Sequence, residues 1–380
     1  MNTHVFIVNE KTFKYHLEYM FAGTGAKEKE SQFLDNPLIQ YNAATERNLV
    51  GMIADISRIQ IGDNIIFYLQ ATAGNQGRFF GVFRARSKAF FDENDTDNYL
   101  KIELEKGLSY RILIEASDYG VYPIGITEHE YLDSLEGKNH PYELCWSLIY
   151  RKLKGNRGCT MITDFEFNDL LSKLQNKCEC LTVSASYTYD FSLNRISECN
   201  NAAVYNGRRN SLSIANRLLY KANRRNAFET HLQAYILQNI RSLDLLEFPE
   251  KDFWVGNEVS CGVGMQRIDI LIMQENDDKI YFKVIELKDE KPTANIVDYQ
   301  LNWYIKWLFD YIIPNYNPNY NGKAVEITPC IVAAKTNDTR LIKYIAEKEF
   351  DNPYLYASIQ KTEYYAFNIS KESIDFEKII

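Results

Sequence analysis

Two β-branched apolar runs joined by a short polar segment limit the fold of this chain more than any other feature of its sequence. The runs span residues 268–273 and 280–287, and the polar segment spans 274–279. Runs of this length that are rich in Ile and Val, with a polar turn between them, are typical of a β-hairpin. The sequence therefore predicts a largely apolar hairpin over residues 266–292.

Three charged side chains lie at one end of this hairpin. Asp269 is near the start of the first run, and Glu286 and Lys288 are at the end of the second. Because side chains alternate along a strand, Glu286 and Lys288 point to the same side. Carboxylates in an apolar setting are usually paired or bind a metal. Two carboxylates that bind Mg²⁺ or Mn²⁺, with an ammonium group that orients the attacking water or offsets developing charge, are the groups that metal-assisted phosphodiester hydrolysis uses. An ordinary hairpin with solvated end charges is the alternative.

An amphipathic helix is predicted after the hairpin, over residues 298–312. Gln300 and Tyr304 are four residues apart and share one of its faces. An amide at that place can donate to a phosphate or position the lysine, and surface decoration is the alternative. The residues predicted to be buried on another face are Tyr299, Trp303, Trp307 and Leu308.

A resemblance to a known family is carried by three stretches, GVGMQRIDILI, VIELK and VDYQLNWYIKWL. Together they resemble the PD-(D/E)xK nuclease superfamily, and within it the mismatch and branched-DNA endonucleases. The resemblance implies a restriction-endonuclease-like α/β/α domain. In it, Asp269, Glu286 and Lys288 carry the motif, and Gln300 is the glutamine of the following helix.

The same resemblance implies an acidic metal ligand on a helix before the hairpin. Glu229, in AFETHLQAYILQNI, matches that place best, and Glu258, in VGNEVSCG, is a second candidate. A solvent-exposed Glu229 is the alternative. The resemblance covers about residues 225–334, and the spacing between the aspartate and the glutamate of the motif is a few residues longer than the family usually has.

Positive charge is concentrated in residues 206–226, although the net charge of the chain is −8. This segment has no acidic residue and leads directly into the nuclease-like region. In an acidic protein such a segment is expected to bind a nucleic-acid backbone, and a solvated helix face is the alternative. The predicted phosphate-binding residues are Arg208, Arg209, Arg217, Lys221, Arg224 and Arg225, together with Lys335 after the next strand.

Residues 1–175 are predicted to form a separate domain. Short strands separated by turn signals indicate a small β-barrel with flanking helices. Residues 58–69 are expected to form a strand, a Gly-Asp turn and a second strand. Further strands are expected at 79–86 and 110–116, and helices at 123–135 and 164–174. The stretches IQIGDNIIFYL, FFGVFRA and ITDFEFNDLLSKL are similar to the PUA superfamily, particularly its EVE and YTH branches. That resemblance implies a nucleic-acid-binding barrel, which in some members holds a modified base in an aromatic pocket.

The aromatic residues offer candidate walls for such a pocket. The chain has 27 Tyr and 21 Phe, most of which must be core because each buries a large apolar area. Stacking of a base on an aromatic ring contributes about 1–3 kcal/mol. The candidates are Tyr68 and Trp146, followed by Phe21 and Tyr122.

Length and composition limit the remaining classes. A chain of 380 residues is expected to contain about two domains, here 1–175 and 206–380, with residues 176–205 as a connector. No run approaches the ~20 apolar residues of a membrane span, and the first residues lack the features of a signal peptide, so a cytoplasmic chain is expected. Seven cysteines without a repeated CxxC do not favour zinc, and the P-loop, GxSxG and HExxH motifs are absent.

These patterns predict a mixed α+β and α/β chain that acts as a Mg²⁺-dependent DNA endonuclease. Restriction of foreign DNA, with a modified base read by the barrel, is the favoured role by fold-level analogy. A repair endonuclease for mismatched or branched DNA is one alternative, and a non-catalytic nucleic-acid-binding protein is another. Double-strand cutting usually needs two active centres, which favours a homodimer.

Overall fold

The computed structural model describes most of the chain and divides it into two compact units. The first unit comprises Met1–Lys138 and Ser147–Ile214, and the second comprises Asn139–Trp146 and Ala215–Ile380. The described residues are 1–25, 34, 38–92, 100–105, 107–132, 137–144, 158–199, 203–224, 226–243, 245, 253–262, 266–316 and 323–380. In these residues no helix is long and apolar enough to cross a membrane.

The first unit is built on one branched sheet. Its strands are β1 Thr3–Val8, β2 Phe21–Thr24, β3 Asn64–Leu69, β4 Arg78–Ala85, β5 Phe90–Phe91, β6 Tyr110–Ala116, β7 Tyr122–Thr127, β8 Cys159–Ile162, β9 Tyr187–Asp190, β10 Arg195–Glu198 and β11 Asn210–Ser211. The main path is β11-β5-β6-β4-β3-β1-β8, with β2 beside β6 and with β7 linking β4 to β10 and β9. The α+β class predicted from the sequence is confirmed, but the pairings between the described strands do not close into the expected barrel.

Five helices with defined ends are described in the first unit, and polar caps fix where several of them begin. Asn9 caps the first helix and Asn42 the second, and each accepts a hydrogen bond from the backbone N–H three residues later. Thr163 and Glu166 form a capping box at the start of the last helix. The helices are α1 Glu10–Glu18, α2 Ala43–Ser57, α3 Lys101–Leu104, α4 Glu128–Leu132 and α5 Asp164–Lys177.

Three expectations for the first unit differ from the structure. The strand expected after the turn at residues 62–63 is confirmed as β3, but the strand expected before that turn, from residue 58, does not form, because Arg58 follows α2 and forms a buried ion pair with Asp55. Residues 123–127 belong to strand β7 rather than to a helix, since they pair with β4. The segment 176–205, expected to be a connector, supplies β9 and β10 to the sheet through Arg195, which is paired with Ile124 of β7.

The second unit has a mixed sheet with helices around it. Its strands are β12 Trp254–Ser260, β13 Arg267–Glu275, β14 Lys279–Leu287, β15 Ala324–Ala334, β16 Ala357–Ile359, β17 Glu363–Ile369 and β18 Ile374–Lys378, in the order β12-β13-β14-β15-β17-β18 with β16 beside β15. The predicted hairpin is confirmed as the antiparallel pair β13 and β14, while β14, β15 and β17 run parallel. The helices are α6 Ala215–Asn223, α7 Glu229–Asn239, α8 Asn302–Trp307, α9 Ile313–Tyr316 and α10 Thr339–Glu347.

Helix α8 is the middle of a longer helical run, residues 296–316, which we call the 296–316 helix. Two π-helical turns, Ile296–Leu301 and Leu308–Ile312, flank α8. Trp307 and Leu308 are buried as predicted, but the prediction is wrong for Tyr299 and Trp303, which are 71% and 40% exposed. The physical reason is that each four-residue step rotates by about 40° in excess of one turn, so that Trp303 and then Tyr299, one and two steps before the buried Trp307, lie progressively further from the core-facing side.

Candidate active site

The hairpin register brings Asp269 and Glu286 together. Ile270 pairs with Ile285, so the next step of the same antiparallel register places Asp269 opposite Glu286. Residues opposite each other in an antiparallel pair project from the same face of the sheet. A hydrogen bond closes this end of the hairpin, because the backbone N–H of Leu287 donates to Asp269 Oδ2 at 2.8 Å. The two carboxylates are therefore neighbours.

Glu286 is the centre of the site. Its side chain is only 2% exposed, and three side chains donate to it. Lys288 Nζ lies 2.6 Å from Oε1, and the Gln300 amide donates to the same oxygen. Tyr304 contributes its hydroxyl, 3.1 Å from Oε2. A carboxylate taken out of water needs such donors, and here they come from Lys288, directly after β14, and from the 296–316 helix.

Lys288 links the carboxylates of the site. Its Nζ is 3.9 Å from Glu229 Oε2, in addition to its bond with Glu286. Burial by itself would lower the pKa of Lys288, but the charges of Glu286, Glu229 and Asp269 outweigh burial and raise it. Lys288 therefore carries a proton and a full positive charge beside the carboxylates.

Negative charge is in excess around Asp269 and Glu229. Burial raises the pKa of Asp269 well above its usual range, and the charge of Glu286 raises it further. Burial also raises the pKa of Glu229, against the opposing charge of Lys288. Both effects have the sign expected where carboxylates share a partly desolvated site.

The backbone around Asp269 is held by side chains that the sequence did not single out. Gln233, one turn after Glu229 on α7, donates to the Asp269 backbone carbonyl at 2.9 Å and to Asn257 Oδ1 at 2.8 Å. Gln233 and Asn257 are both buried, on different elements. The amphipathic patterns of the segments that carry Gln233 and Asn257 gave no signal of these hydrogen bonds. The bonds form because α7 packs on β12 and β13.

Tyr304 is another contributor whose role in the site the sequence did not predict. Its hydroxyl lies 2.9 Å from the backbone carbonyl of Arg267 as well as near Glu286, and its one hydrogen serves both acceptors. Burial, followed by the charge of Glu286, raises the pKa of Tyr304, so it remains a donor. The four-residue spacing from Gln300 was the available signal. Arg267 itself extends from the start of β13, half exposed, and pairs with Glu258 at 2.8 Å.

The structure thus brings together Asp269, Glu286, Lys288 and Gln300, with Glu229 beside the lysine. Within the described part of the chain, no group of three or more His, Cys, Asp or Glu side chains is arranged to hold a metal ion. The three carboxylates expected as metal ligands therefore do not form one three-carboxylate set. Asp269 and Glu286 remain as a pair.

The basic segment is divided between the two units. Arg208 and Arg209 belong to the first unit and are exposed, whereas Arg217 and Lys221 lie on α6 of the second. Arg217 is buried, with its guanidinium 5.7 Å from the Tyr220 ring, and so differs from the exposed phosphate contact that was expected. Of the remaining predicted phosphate contacts, Arg224 is exposed, and Lys335 pairs with Glu377 at 2.7 Å. Arg225 lies outside the described residues.

The candidate base-pocket residues in the first unit are mostly core. Tyr68 is buried and donates to Glu128 at 2.8 Å, and Phe21 is buried beneath the Arg111 guanidinium. Tyr122 is buried and donates to the carbonyl of Tyr119. Trp146 lies outside the described residues.

No family model matches this chain, and no curated protein matches it. Two solved structures that are similar to it each cover 47% of this chain. One is a hypothetical protein from Leishmania major, with a TM-score of 0.29, 11% identity and 96% of its own chain covered. The other is the human THYN1 protein in complex with 5-methylcytosine-containing DNA, with a TM-score of 0.26, 10% identity and 99% covered. At TM-scores this low, neither structure defines a class for this chain.

Proposed function

We propose that this protein is a metal-dependent DNA endonuclease. Its active site, formed by Asp269, Glu286 and Lys288, hydrolyses phosphodiester bonds of DNA. The observation that carries the proposal is the buried Glu286 carboxylate, which is held by Lys288, Gln300 and Tyr304 directly beside Asp269. Perturbed charged groups of this kind cluster at functional sites, which supports the proposal.

The donor set fits a hard divalent cation. Mg²⁺ is commonly bound through one or two carboxylates, with water and substrate phosphate completing its shell, so Asp269 and Glu286 suffice as protein ligands. Asp269 engages only Oδ2 with Leu287, which leaves Oδ1 without a protein donor among the described residues. Burial raises the pKa of Asp269 and repulsion by Glu286 raises it further, and a bound cation would relieve that repulsion. When bound, Mg²⁺ or Mn²⁺ polarises the phosphate and lowers the pKa of a water.

The side chains of this chain have separate tasks in the proposed reaction. Lys288 presents a protonated ammonium group that offsets charge developing on the phosphate. Gln300 and Tyr304 fix both oxygens of Glu286, and Gln233 fixes the backbone of Asp269. Preorganisation of this kind matters because the donors need not rearrange as the reaction proceeds.

We extend the proposal to restriction of foreign DNA, with the first unit reading the target. The support is the sequence resemblance of the first unit to nucleic-acid-binding PUA-type domains and the exposed Arg208 and Arg209 within it. Reading of a modified base is part of the same proposal.

The test is incubation of the protein with plasmid and phage DNAs of known modification, with Mg²⁺ or with EDTA. Cleavage only with Mg²⁺ is expected, and absence of cleavage on every DNA would contradict the endonuclease and favour a non-catalytic binder. Equal cleavage rates on modified and unmodified phage DNA would contradict the proposal that the enzyme reads a modified base. A mismatched duplex cut faster than its matched counterpart would assign the enzyme to repair instead.

A further inference from the structure

Two aromatic side chains are exposed directly beside the candidate active site. Tyr299 and Trp303 are one turn apart on the 296–316 helix, and each immediately precedes a residue that donates to Glu286, Gln300 in one case and Tyr304 in the other. Successive residues of a helix are about 100° apart, so the aromatic face adjoins the catalytic face. Tyr and Trp are enriched at binding interfaces, so the exposure of this pair beside the site marks a candidate contact surface for a ligand.

Trp303 is fixed in position rather than free at the surface. Its indole N–H donates to the Cys261 carbonyl at 2.7 Å. One edge of the ring packs against Gly262, where an added Cβ would lie 3.1 Å from the ring and where φ is +109°. The remaining part of the ring faces solvent. A rigid aromatic ring offers a contact surface that loses little conformational entropy when a ligand binds.

The surroundings of the two rings suit a flat ligand better than a protein partner. The neighbouring exposed positions on the helix are polar, Asn302 and Lys306, and the partly exposed Tyr344 of α10, close to Tyr299, has its hydroxyl bonded to Asp298. A stable protein interface buries about 800 Å² on each side, far more than two rings provide. A single nucleobase matches this area and stacks on Tyr or Trp whatever its sequence.

We propose that Tyr299 and Trp303 form a stacking surface for a nucleobase next to the scissile phosphate, so that this base is held out of the DNA stack during cleavage. The inference rests on the proposed nuclease function and adds a requirement to it. The half-exposed Arg267, two residues before Asp269 on the same face of β13, is placed to contact the adjoining phosphate. DNA that is unpaired at the cut therefore binds better than a continuous duplex, which must first be opened.

The test measures binding and cleavage separately on the full-length protein. In the non-cleaving Asp269→Asn background, binding of a single-stranded DNA oligonucleotide and of its duplex is measured by fluorescence anisotropy. Tyr299→Leu and Trp303→Leu are each expected to weaken single-strand binding by about 5- to 150-fold, the range for loss of one stacked base. Trp303→Phe is expected to retain most of the affinity, and Leu355→Ala, at a fully exposed position elsewhere in the unit, is the matched control.

The outcomes separate this inference from the proposed function. Unchanged single-strand binding by Tyr299→Leu, a substitution at an exposed side chain that should leave the fold intact, would overturn the stacking surface whether or not the wild-type protein cuts DNA. Weakened binding by both leucine variants, with Trp303→Phe close to the parent, would support it. A wild-type protein that cuts no DNA with Mg²⁺ would overturn the endonuclease, and the binding result would still decide the stacking surface.

Discussion

Glu286 is a buried carboxylate whose charge is balanced by the side chains around it. An ionised group removed from water is expensive unless it is paired and hydrogen-bonded, and Lys288, Gln300 and Tyr304 supply those contacts. Asp269 next to it has fewer donors and a raised pKa. The imbalance between the two carboxylates is the main electrostatic property of the site, and it leads to predictions about single residues.

Asp269→Asn is expected to stabilise the metal-free protein at neutral pH. A raised folded-state pKa means that the native state binds more protons than the unfolded state, so the wild-type protein loses stability as pH rises from about 3.9 towards the raised pKa. Asparagine removes this loss while keeping an acceptor for the Leu287 N–H. Urea unfolding from pH 4 to pH 8 in EDTA checks this, and the advantage of the variant should vanish at the acid end.

Mg²⁺ is expected to stabilise the wild-type protein but not Asp269→Asn. Binding to the native state raises stability by mass action, and this requires the Asp269 carboxylate. The midpoint of thermal unfolding should therefore rise with Mg²⁺ or Mn²⁺ in the wild-type protein and stay constant in Asp269→Asn. An equal rise in both proteins would place the cation elsewhere.

Lys288→Ala is expected to lower the cleavage rate by about 100-fold or more, since it removes the positive charge beside the reacting phosphate. DNA binding should change far less than the rate. Single-turnover cleavage and anisotropy binding measure the two quantities. Lys343→Ala, at an exposed lysine of α10 that pairs with Glu347, is the matched control and should cut at the wild-type rate.

At the scale of elements, the site depends on the packing of the 296–316 helix against β13 and β14. The helix presents Gln300 and Tyr304 to Glu286, and Trp303 to the end of β12. Gln300 lies in the first of the two π-helical turns of this helix, and Trp303 and Tyr304 lie between the two turns. Such turns are frequent at functional sites because they alter the direction in which side chains project.

Tyr304→Phe tests that packing without a change of shape. It leaves Glu286 Oε2 without its tyrosine donor, and the loss of a hydrogen bond to a charged group costs about 1.5–3 kcal/mol. The free energy of unfolding should fall by that amount, and the Mg²⁺ concentration for half-maximal cleavage should shift. Tyr344→Phe, which removes a hydroxyl bonded to Asp298 at the surface, is the control. Identical metal dependence in Tyr304→Phe and wild type would leave Tyr304 a purely structural role.

The first unit also contains a buried charged group that is held by a partner, in an ion pair at its sheet. Arg111 of β6 pairs with Asp92 at 2.8 Å, with both side chains fully buried. Removal of one member of a buried pair costs about 3–5 kcal/mol, so Arg111→Leu should strongly destabilise this unit. Arg84→Leu, in the more exposed pair with Glu115, should have little effect. Denaturant unfolding compares them, and similar values for both would contradict the argument.

At the scale of the whole molecule, charge distribution is more informative than net charge. The chain carries −8 overall, so the proposed DNA binding requires a local positive surface. Arg208 and Arg209 are exposed, whereas Arg217 is packed against Tyr220. The basic segment therefore contains two kinds of arginine, one available to phosphate and one structural.

Replacement of Arg208 and Arg209 together by alanine should reduce the salt dependence of DNA binding. Each phosphate contact contributes about 0.9 to the slope of log K against log salt, so the double variant should lose up to about two units. Anisotropy titrations at several salt concentrations measure the slope. Arg195→Ala, at an exposed arginine of β10, is the control. An unaltered slope in the double variant would mean that these side chains do not contact DNA.

The sequence by itself determined the hairpin and the charges at its end. Apolar alternation and a polar turn over residues 268–287 are local signals, and the observed strands β13 and β14 follow them closely. The same local patterns predicted α5 and the α+β class. Strand alternation also placed Glu286 and Lys288 on one side of the sheet, as found.

Only the tertiary structure decided which side chains surround those charges. The contact of Tyr304 with Glu286, of Gln233 with Asp269 and the burial of Arg217 depend on how helices pack on strands far away in the chain. Periodicity gives the faces of a helix but not the angle at which it is docked, which is why Tyr299 and Trp303 were expected in the core. Helices and strands can be predicted because residues close together in the sequence determine them. The surroundings of a site cannot, because they depend on how helices and strands pack against each other.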